Sequence, residues 1–556
     1  MQATNRRVRG RSGVGRRLAC ACTLVCAAVI GPSGCGDSAS PKDSGVDADG
    51  HTQRKDGLGG SADGTIRPCT KSGPEVCDGV DNDCNGKVDE GYTLLCQPCT
   101  GAAASCLEAR LAGGGFWVGT ARNLVIGDDK GIALPPLPTS QPYIYIANSN
   151  EDTVSKVRTS DSVEVGRFLV GGNPSRTAVD GRGDAWVAMR GDTSDDGSGP
   201  LENVIKIDGA CTPKTKPPAP TRECILLDVP SVGNLLRGLA VDARNDVWVG
   251  AYADSQVILL DGVTGKTKTI VGLPGHPYGL AMDPDGYVWV SAHDTSYASG
   301  FVYRVDPALE QVDIKLGATE LQNIGTYGLA ADGEGGIWYG TNGAYVFRVD
   351  AATGAVGPIH DVGYTTRGVA VDDKGFLWAA DSGHNALLKI DRTTGATTTI
   401  TVGNGPVGVA VDHEGNVWSV NYSEDTATKV SPAGSVLKTV TVGSAPYSYS
   451  DMTGTAYRIF KTIKGVFTGE YAVGIPGAKW KKLAWAGSVP SPATLAIRVR
   501  CSDSDPTKAP WQAVVLSGQS ALLSCVGDQL QIEVTLATND RKAMPNVANL
   551  TFEVER

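Results

Sequence analysis

Histidine, phenylalanine and methionine are scarce in this chain of 556 residues, at six, eight and five copies. Apolar runs with a helical period are nearly absent, which excludes a helical bundle. No G-x-S-x-G elbow, P-loop, dinucleotide fingerprint or H-E-x-x-H pair occurs, so the commonest hydrolase, nucleotide and zinc-protease chemistries have no residues to carry them. The formal charge is −10. Six leader arginines and no leader acid mean that a chain without residues 1–34 carries −16, which argues against nucleic acid as a partner. Leu18–Gly31 is apolar but too short to span a bilayer as a mature helix. What is abundant is glycine, 71 residues, as a fold built from tight turns requires.

The glycines recur in a pattern. Gly279-Leu-Ala-Met-Asp283 is followed by Gly286-Tyr-Val-Trp289, and Gly408-Val-Ala-Val-Asp412 by Gly415-Asn-Val-Trp418. The same interval of six joins Asp180 to Trp186, Asp242 to Trp248, Asp332 to Trp338 and Asp372 to Trp378, with a degenerate copy at Asp451 and Tyr457. Successive Asp residues lie 62, 41, 49, 40, 40 and 39 positions apart. A β-rich, Gly-rich unit of about 40 residues is the signature of propeller blades. In one copy the four strands read Tyr278–Met282, Tyr287–Ala292, Phe301–Val305 and Val312–Leu316, with Asp and Gly in the first hairpin. Tyr143–Ala147, Thr153–Val157 and Val163–Val170 read as a unit lacking its first strand. Ala445–Met452 reads as a first strand lacking its unit. Joined, they complete a seven-bladed ring over 141–454; six blades with loose ends is the alternative.

Either side of the ring the character changes. Residues 1–34 read as a signal peptide with arginines at 6, 7, 9, 11, 16 and 17. Pro32-Ser-Gly-Cys35 resembles a bacterial lipobox, which makes Cys35 the acylated residue and the chain an exported, envelope-anchored lipoprotein attached to a membrane. An ordinary secretory signal cleaved nearby is the alternative. Residues 35–68, rich in Gly, Asp and Ser, form a disordered tether. Residues 69–106 are Cys-rich, and 107–140 read as a linker. The alternation in Leu530–Leu536 and Leu550–Val554 marks half-buried antiparallel strands, so 455–556 reads as a β-sandwich of jelly-roll type. Its Trp480, Trp485 and Trp511 are candidates for a carbohydrate-stacking face, with core anchoring the alternative. The fold class is all-β throughout.

Ten cysteines besides Cys35 are an even number, as disulfides in an exported chain require. Cys211 and Cys224 sit alone in the one long repeat, and Cys501 and Cys525 alone in the last domain, so each pair should bond. Cys69, Cys77, Cys84, Cys96, Cys99 and Cys106 leave their pairing open. Cys96-Gln-Pro-Cys99 has zinc spacing, but no second such pair or nearby His completes a site.

One motif carries metal chemistry. In Cys77–Glu90, Asp81, Asp83 and Asn85 occupy positions 1, 3 and 5 of a calcium-type loop, Lys87 offers its carbonyl at 7, and Asp89 falls at 9. Tyr92 stands where the bidentate Glu belongs, so Glu90 or Asp78 would substitute. Oxygen-only donors suit a hard cation, calcium rather than copper; a disulfide-stapled turn without an ion is the alternative. The segment resembles the metal-binding motif C-D-G-x-D-N-D-C-x-G-x-x-D-E of modular bacterial surface proteins.

The repeats resemble the streptogramin-lyase and NHL-type exported propellers over roughly 310 residues. In the enzymes of that group the resemblance implies an axial His with acidic residues, a divalent metal and W-F-T-E after the turn. Here the tetrads read W-V-A-M, W-V-G-A, W-V-S-A, W-Y-G-T, W-A-A-D and W-S-V-N. His276 and His293 are the candidate metal ligands or base at the axis; His360, His384 and His413 read as turn residues. Three functions follow: a surface-anchored scaffold binding a protein or carbohydrate, an axial lyase or hydrolase, or metal sequestration.

Overall fold

Each repeat folds as four antiparallel strands in the computed structural model, which describes residues 105–110, 119–126, 131–136, 138, 141–191, 202–294 and 300–555. In the copy read above the strands are His276–Met282, Val288–His293, Gly300–Asp306 and Gln311–Leu316, hydrogen-bonded in that order. Six such sheets occupy 174–233, 236–272, 276–316, 329–361, 369–401 and 406–441. Their first strands neighbour one another in succession. The arrangement is propeller-like.

The Asp-to-Trp interval has a specific local cause. Asp283 Oδ1 accepts from the backbone N–H of Asp285 and Tyr287, at 2.9 and 3.0 Å, which closes the first hairpin. Its Oδ2 accepts from Trp289 Nε1 at 2.8 Å. Strand b thus returns its indole to the carboxylate that made the turn, and the ring is fully buried. Asp372 with Trp378 and Asp412 with Trp418 repeat this at 2.9 Å, and Asp180 with Trp186 at 3.3 Å. Two copies depart. Asp332 turns its Oδ2 to Arg348 and Arg392, and among the described residues the Nε1 groups of Trp248 and Trp338 have no partner.

The inner strands crowd around the axis, which explains their glycines. A Cβ on Gly408 would lie 1.8 Å from Ser448 O, and one on Gly368 would lie 2.6 Å from Val407 O.

A three-stranded sheet, Tyr143–Asn148, Thr153–Arg158 and Val163–Leu169, lies between the two ends of this series. Its first strand meets the segment 444–452: Tyr145 N–H donates to Met452 O at 3.1 Å, Tyr447 N–H to Ala147 O at 2.8 Å and Ser149 N–H to Ala445 O at 3.1 Å. Ser448 also reaches Thr177 Oγ1 at 2.9 Å in the next sheet. The segment therefore touches the first and last four-stranded sheets as well as the three-stranded one.

Two further antiparallel sheets share one apolar core. One contains Ile463–Ala472, Gln529–Thr538, Thr494–Ser502 and Gln512–Val514; the other contains Ser520–Val526, Lys479–Ser488 and Asn546–Glu555. Phe467, Trp480, Leu483, Ile532 and Phe552 pack between them. Here the reading of 107–140 as a linker is corrected. Ser105–Arg110 pairs with Asn546–Glu555, Gly119–Arg122 extends the sheet beside Ile463–Ala472, and Val125–Ile126 and Ile132–Ala133 form a short hairpin on the other sheet. The C-terminal unit is thus made from two separated pieces of chain, not from 455–556 alone. Pairing with the earlier strands satisfies sheet edges that would otherwise stand open.

Contacts from these strands also hold the ring. Arg122 donates to Asp285 O at 3.0 Å and pairs with Asp306 at 2.7 Å. Asn123 Nδ2 bridges Pro284 O and Lys464 O, each at 2.8 Å. Lys464 pairs with Asp285, and Lys461 with Glu334.

Candidate functional site at the ring axis

The inner strands end in apolar residues at one end of the axis and in phenols and guanidiniums at the other. Val179, Val241, Met282, Val371 and Val411 line a cavity of about 150 Å³ that Thr455–Phe460 closes from outside. The opposite end collects Tyr278, Tyr327, Tyr447 and Tyr449, all buried. The hydroxyls of Tyr278, Tyr327 and Tyr447 form a triangle with sides of 2.7, 2.7 and 2.9 Å, and Tyr449 donates to Tyr327 at 3.1 Å.

Arginines surround the phenols. Arg176 lies over the rings of Tyr449, Tyr278 and Tyr447, at 4.3, 5.0 and 5.5 Å. Arg190 covers Tyr447 at 5.1 Å, Arg237 covers Tyr278 at 5.5 Å and Arg367 covers Tyr327 at 6.0 Å. Cation–π attraction of this kind strengthens when water is excluded. Arg190 and Arg367 are partly exposed and are held by Asn173 at 2.7 Å and Asn342 at 3.2 Å.

The charges divide the phenols into two kinds. Burial pushes the Tyr278 phenol up to about 12, with the neighbouring Tyr447 adding to the shift. Tyr327 and Tyr449 are raised for the same reasons, burial first. Burial raises Tyr447 too, but Arg176, Arg237 and the hydroxyls of Tyr278 and Tyr327 outweigh it and bring this phenol down to about 7. Tyr278 donates to Tyr327, which leaves the Tyr327 O–H to donate to the Tyr447 oxygen when that phenol is ionised. Burial, with Arg237 and Arg176 close by, holds Arg190 below the usual guanidinium range.

The two histidines singled out from the sequence sit opposite each other in adjacent strands, His276 beside His293. One nitrogen of each reaches a neighbouring sheet. His276 Nδ1 meets Tyr252 O at 2.7 Å and Ser255 Oγ at 3.1 Å, with its ring stacked on Tyr252. His293 Nε2 meets Thr326 O at 2.5 Å, and burial holds this imidazole below its ordinary value. His360 meets Arg392 O, and His384 caps the buried Asp381 at 2.8 Å. Among the described residues no cluster of three or more His, Cys, Asp or Glu is arranged to hold a metal ion.

The remaining candidates divide between those described and those not. Cys211 and Cys224 are bonded across the 208–224 excursion, and Cys501 and Cys525 are bonded across the two C-terminal sheets, with Cα separations of 5.7 Å in both. Trp480 is a core residue: it is fully buried and donates to Gly527 O at 2.8 Å. Arg498 and Arg500 cover Trp511 at 4.6 and 4.4 Å, while Trp485 packs against the core. The three indoles therefore form no common stacking face. Cys35 and the residues Asp78, Asp81, Asp83, Asn85, Lys87, Asp89 and Glu90 lie outside the described residues.

Residues 65–90 match a family described as "Putative metal-binding motif". The chain thus carries a metal-binding motif whose ion is undetermined. No curated protein matches the chain significantly. Among solved structures, virginiamycin B lyase from Staphylococcus aureus is 13% identical over 56% of this chain and 93% of its own, with a TM-score of 0.40. Kuenenia stuttgartiensis hydrazine synthase is 17% identical over 56% of this chain and 98% of its own, at 0.45. A Lactobacillus plantarum protein is 17% identical over 55% of this chain and 98% of its own, at 0.43.

Proposed function

We propose that this chain is an exported binding scaffold: a seven-bladed ring closed by 444–452, carried with a C-terminal β-sandwich on a lipid-anchored stalk, that recognises a protein or carbohydrate ligand at its tyrosine–arginine mouth. The observation that carries this reading is the axial cluster itself. Arg190 and Arg367 stand partly exposed over the buried phenols and offer directed donors to a ligand, and arginine is prominent in recognition sites. The cluster draws on several different sheets, so a closed ring is the device that assembles it.

In this reading the lipid anchor at Cys35 and the tether 35–68 make the stalk, and calcium at Asp81, Asp83, Asn85, Lys87 and Asp89 stiffens it. The acidic turn gathers six acids between Glu75 and Glu90, and a hard divalent cation relieves their mutual repulsion. The apolar leader ending at Ser33-Gly34-Cys35 supports the anchor.

A second reading has an observation behind it. A phenol near pH 7 is poised as a general base, so Tyr447 would serve a lyase or hydrolase working at the axis, the role first considered for His276 and His293.

The test is an array of envelope peptides and glycans probed with the mature chain and with Arg190→Ala/Arg367→Ala. Binding lost in the double variant, with the fold intact by circular dichroism, supports the mouth. Equal binding by both proteins, or none by either, overturns it. Turnover of a bound ligand that stops in Tyr447→Phe would favour the second reading.

A further inference from the structure

Beneath the hydroxyl triangle lies a buried cation with unused donors. Arg176 is 1% exposed; its Nη1 donates to Ser175 O at 2.7 Å, while among the described residues Nε and Nη2 have no partner. Arg176, Tyr278, Tyr327 and Tyr449 border a cavity of about 20 Å³, room for about one water-sized atom. A buried guanidinium normally pairs with a carboxylate, because an uncompensated charge out of water is costly. Here the groups acting most strongly on the phenols around it are other arginines and tyrosines.

We infer that this cavity is an anion seat, taking one acceptor atom, either a halide ion or the terminal oxygen of a ligand carboxylate, against Arg176 Nε and Nη2. The inference rests on reading the axis as a ligand site and supplies the chemistry of what enters it. Size and charge favour a small monoanion over a neutral sugar hydroxyl: one atom fits, and the one charge in a wall otherwise made of phenols, aliphatic side chains and backbone is the Arg176 guanidinium. Phosphate, with several charged oxygens, exceeds the room.

The seat has an internal rival. Ionised Tyr447 supplies a negative charge to the same arginines. The charged and titratable groups facing it are Arg176, Arg190, Arg237 and Arg367, the phenols of Tyr278, Tyr327 and Tyr449, and Tyr422 at the rim. A phenolate and a bound anion compete for one positive charge. Affinity for the external anion then falls as Tyr447 ionises, by about tenfold between pH 6 and pH 8.

The experiment compares sodium chloride and sodium acetate with a bulky sulfonate salt at constant ionic strength, on the mature chain at pH 6 and pH 8. Melting temperature and tyrosinate absorbance are the readouts. A saturable rise in melting with chloride or acetate is expected, about tenfold tighter at pH 6, with tyrosinate absorbance suppressed by the anion. Tyr447→Phe should abolish the pH difference, and Arg176→Met should abolish the anion effect. Chloride alone acting identifies a free halide; acetate alone acting identifies a ligand carboxylate. Should Arg176→Met not fold, Arg176→Lys should weaken the response at least tenfold.

No anion-specific response, which would leave water as the occupant, or a response unchanged by either Arg176 variant, overturns the seat. If anions are without effect yet Arg190→Ala/Arg367→Ala still loses array binding, the seat fails and the mouth stands. If the double variant binds as wild type does, the mouth fails independently.

Discussion

Asp372→Asn and Asp242→Asn are the same chemical change at equivalent turns, yet their costs should differ by at least about 2 kcal/mol. Asp372 accepts from Lys374 and Phe376 N–H at 3.0 and 2.8 Å, and its other oxygen accepts from Trp378 Nε1 at 2.9 Å. An Asn keeps one oxygen for the turn but presents an NH₂ to the buried indole. That strands a donor, at about 1–3 kcal/mol, and weakens the remaining charge-assisted bonds by about 1 kcal/mol. Asp242 accepts from Arg244 and Asp246 N–H at 2.8 and 3.0 Å, and among the described residues Trp248 Nε1 donates to no acceptor. Burial, reinforced by Asp246, pushes the Asp242 carboxyl up to about 6. Losing this charge at pH 7.5 relieves up to about 3 kcal/mol, so the substitution should be neutral or stabilising. Denaturant unfolding at pH 7.5, with a double-mutant cycle through Trp378→Phe, measures both numbers. Equal costs at the two turns, or no coupling between Asp372 and Trp378, would refute the account of the repeat.

The pH dependence carries a defined sign. Asp242 and Asp283 have folded-state values raised to about 6, so between the unfolded value near 3.8 and about 6 the folded state binds more protons. Their contribution is full below about pH 4 and is lost as pH rises through 6; Asp242→Asn should therefore gain stability relative to wild type over that window, read from unfolding midpoints at pH 4.5 and 7. Gly408→Ala should destabilise by about 1–3 kcal/mol or open the ring, because its Cβ meets Ser448 O; a wild-type melt would show that 444–452 does not close there. Cys501→Ser/Cys525→Ser should cost about 3 kcal/mol for a loop of 24 residues, and non-reducing peptide mapping should find the bond in wild type. Asp81→Ala/Asp83→Ala should abolish calcium heat in calorimetry of the full mature chain while the melting transition stays put; tighter copper than calcium binding would contradict the assignment.

How much of this was legible in the sequence depends on how local each interaction is. The Asp-to-Trp interval spans one hairpin, so its period stood out; only its reason, the indole donating to the turn carboxylate, needed coordinates. The disulfide pair Cys211 and Cys224 stood isolated in one excursion for the same reason. The early strands escaped notice because Ser105–Arg110 finds its partner at Asn549–Val554, and short strands paired over such a distance leave no local pattern. The axial cluster escaped for a related reason: Arg176, Arg237, Tyr278, Tyr327 and Tyr447 occupy different repeats, and only stacking around one axis brings them together. His276 and His293 are conspicuous in the sequence because histidine is scarce, yet each uses one ring nitrogen to tie neighbouring sheets.

The most direct test of the axis as a ligand site is anomalous diffraction from a crystal of the mature chain soaked in sodium bromide at pH 6. The account predicts an anomalous peak within hydrogen-bond distance of Arg176 Nε and Nη2, below the Tyr278–Tyr327–Tyr447 triangle, and its disappearance in Arg176→Met. Bromide found only on the outer surface, with the axial cavity empty or holding water, would contradict it.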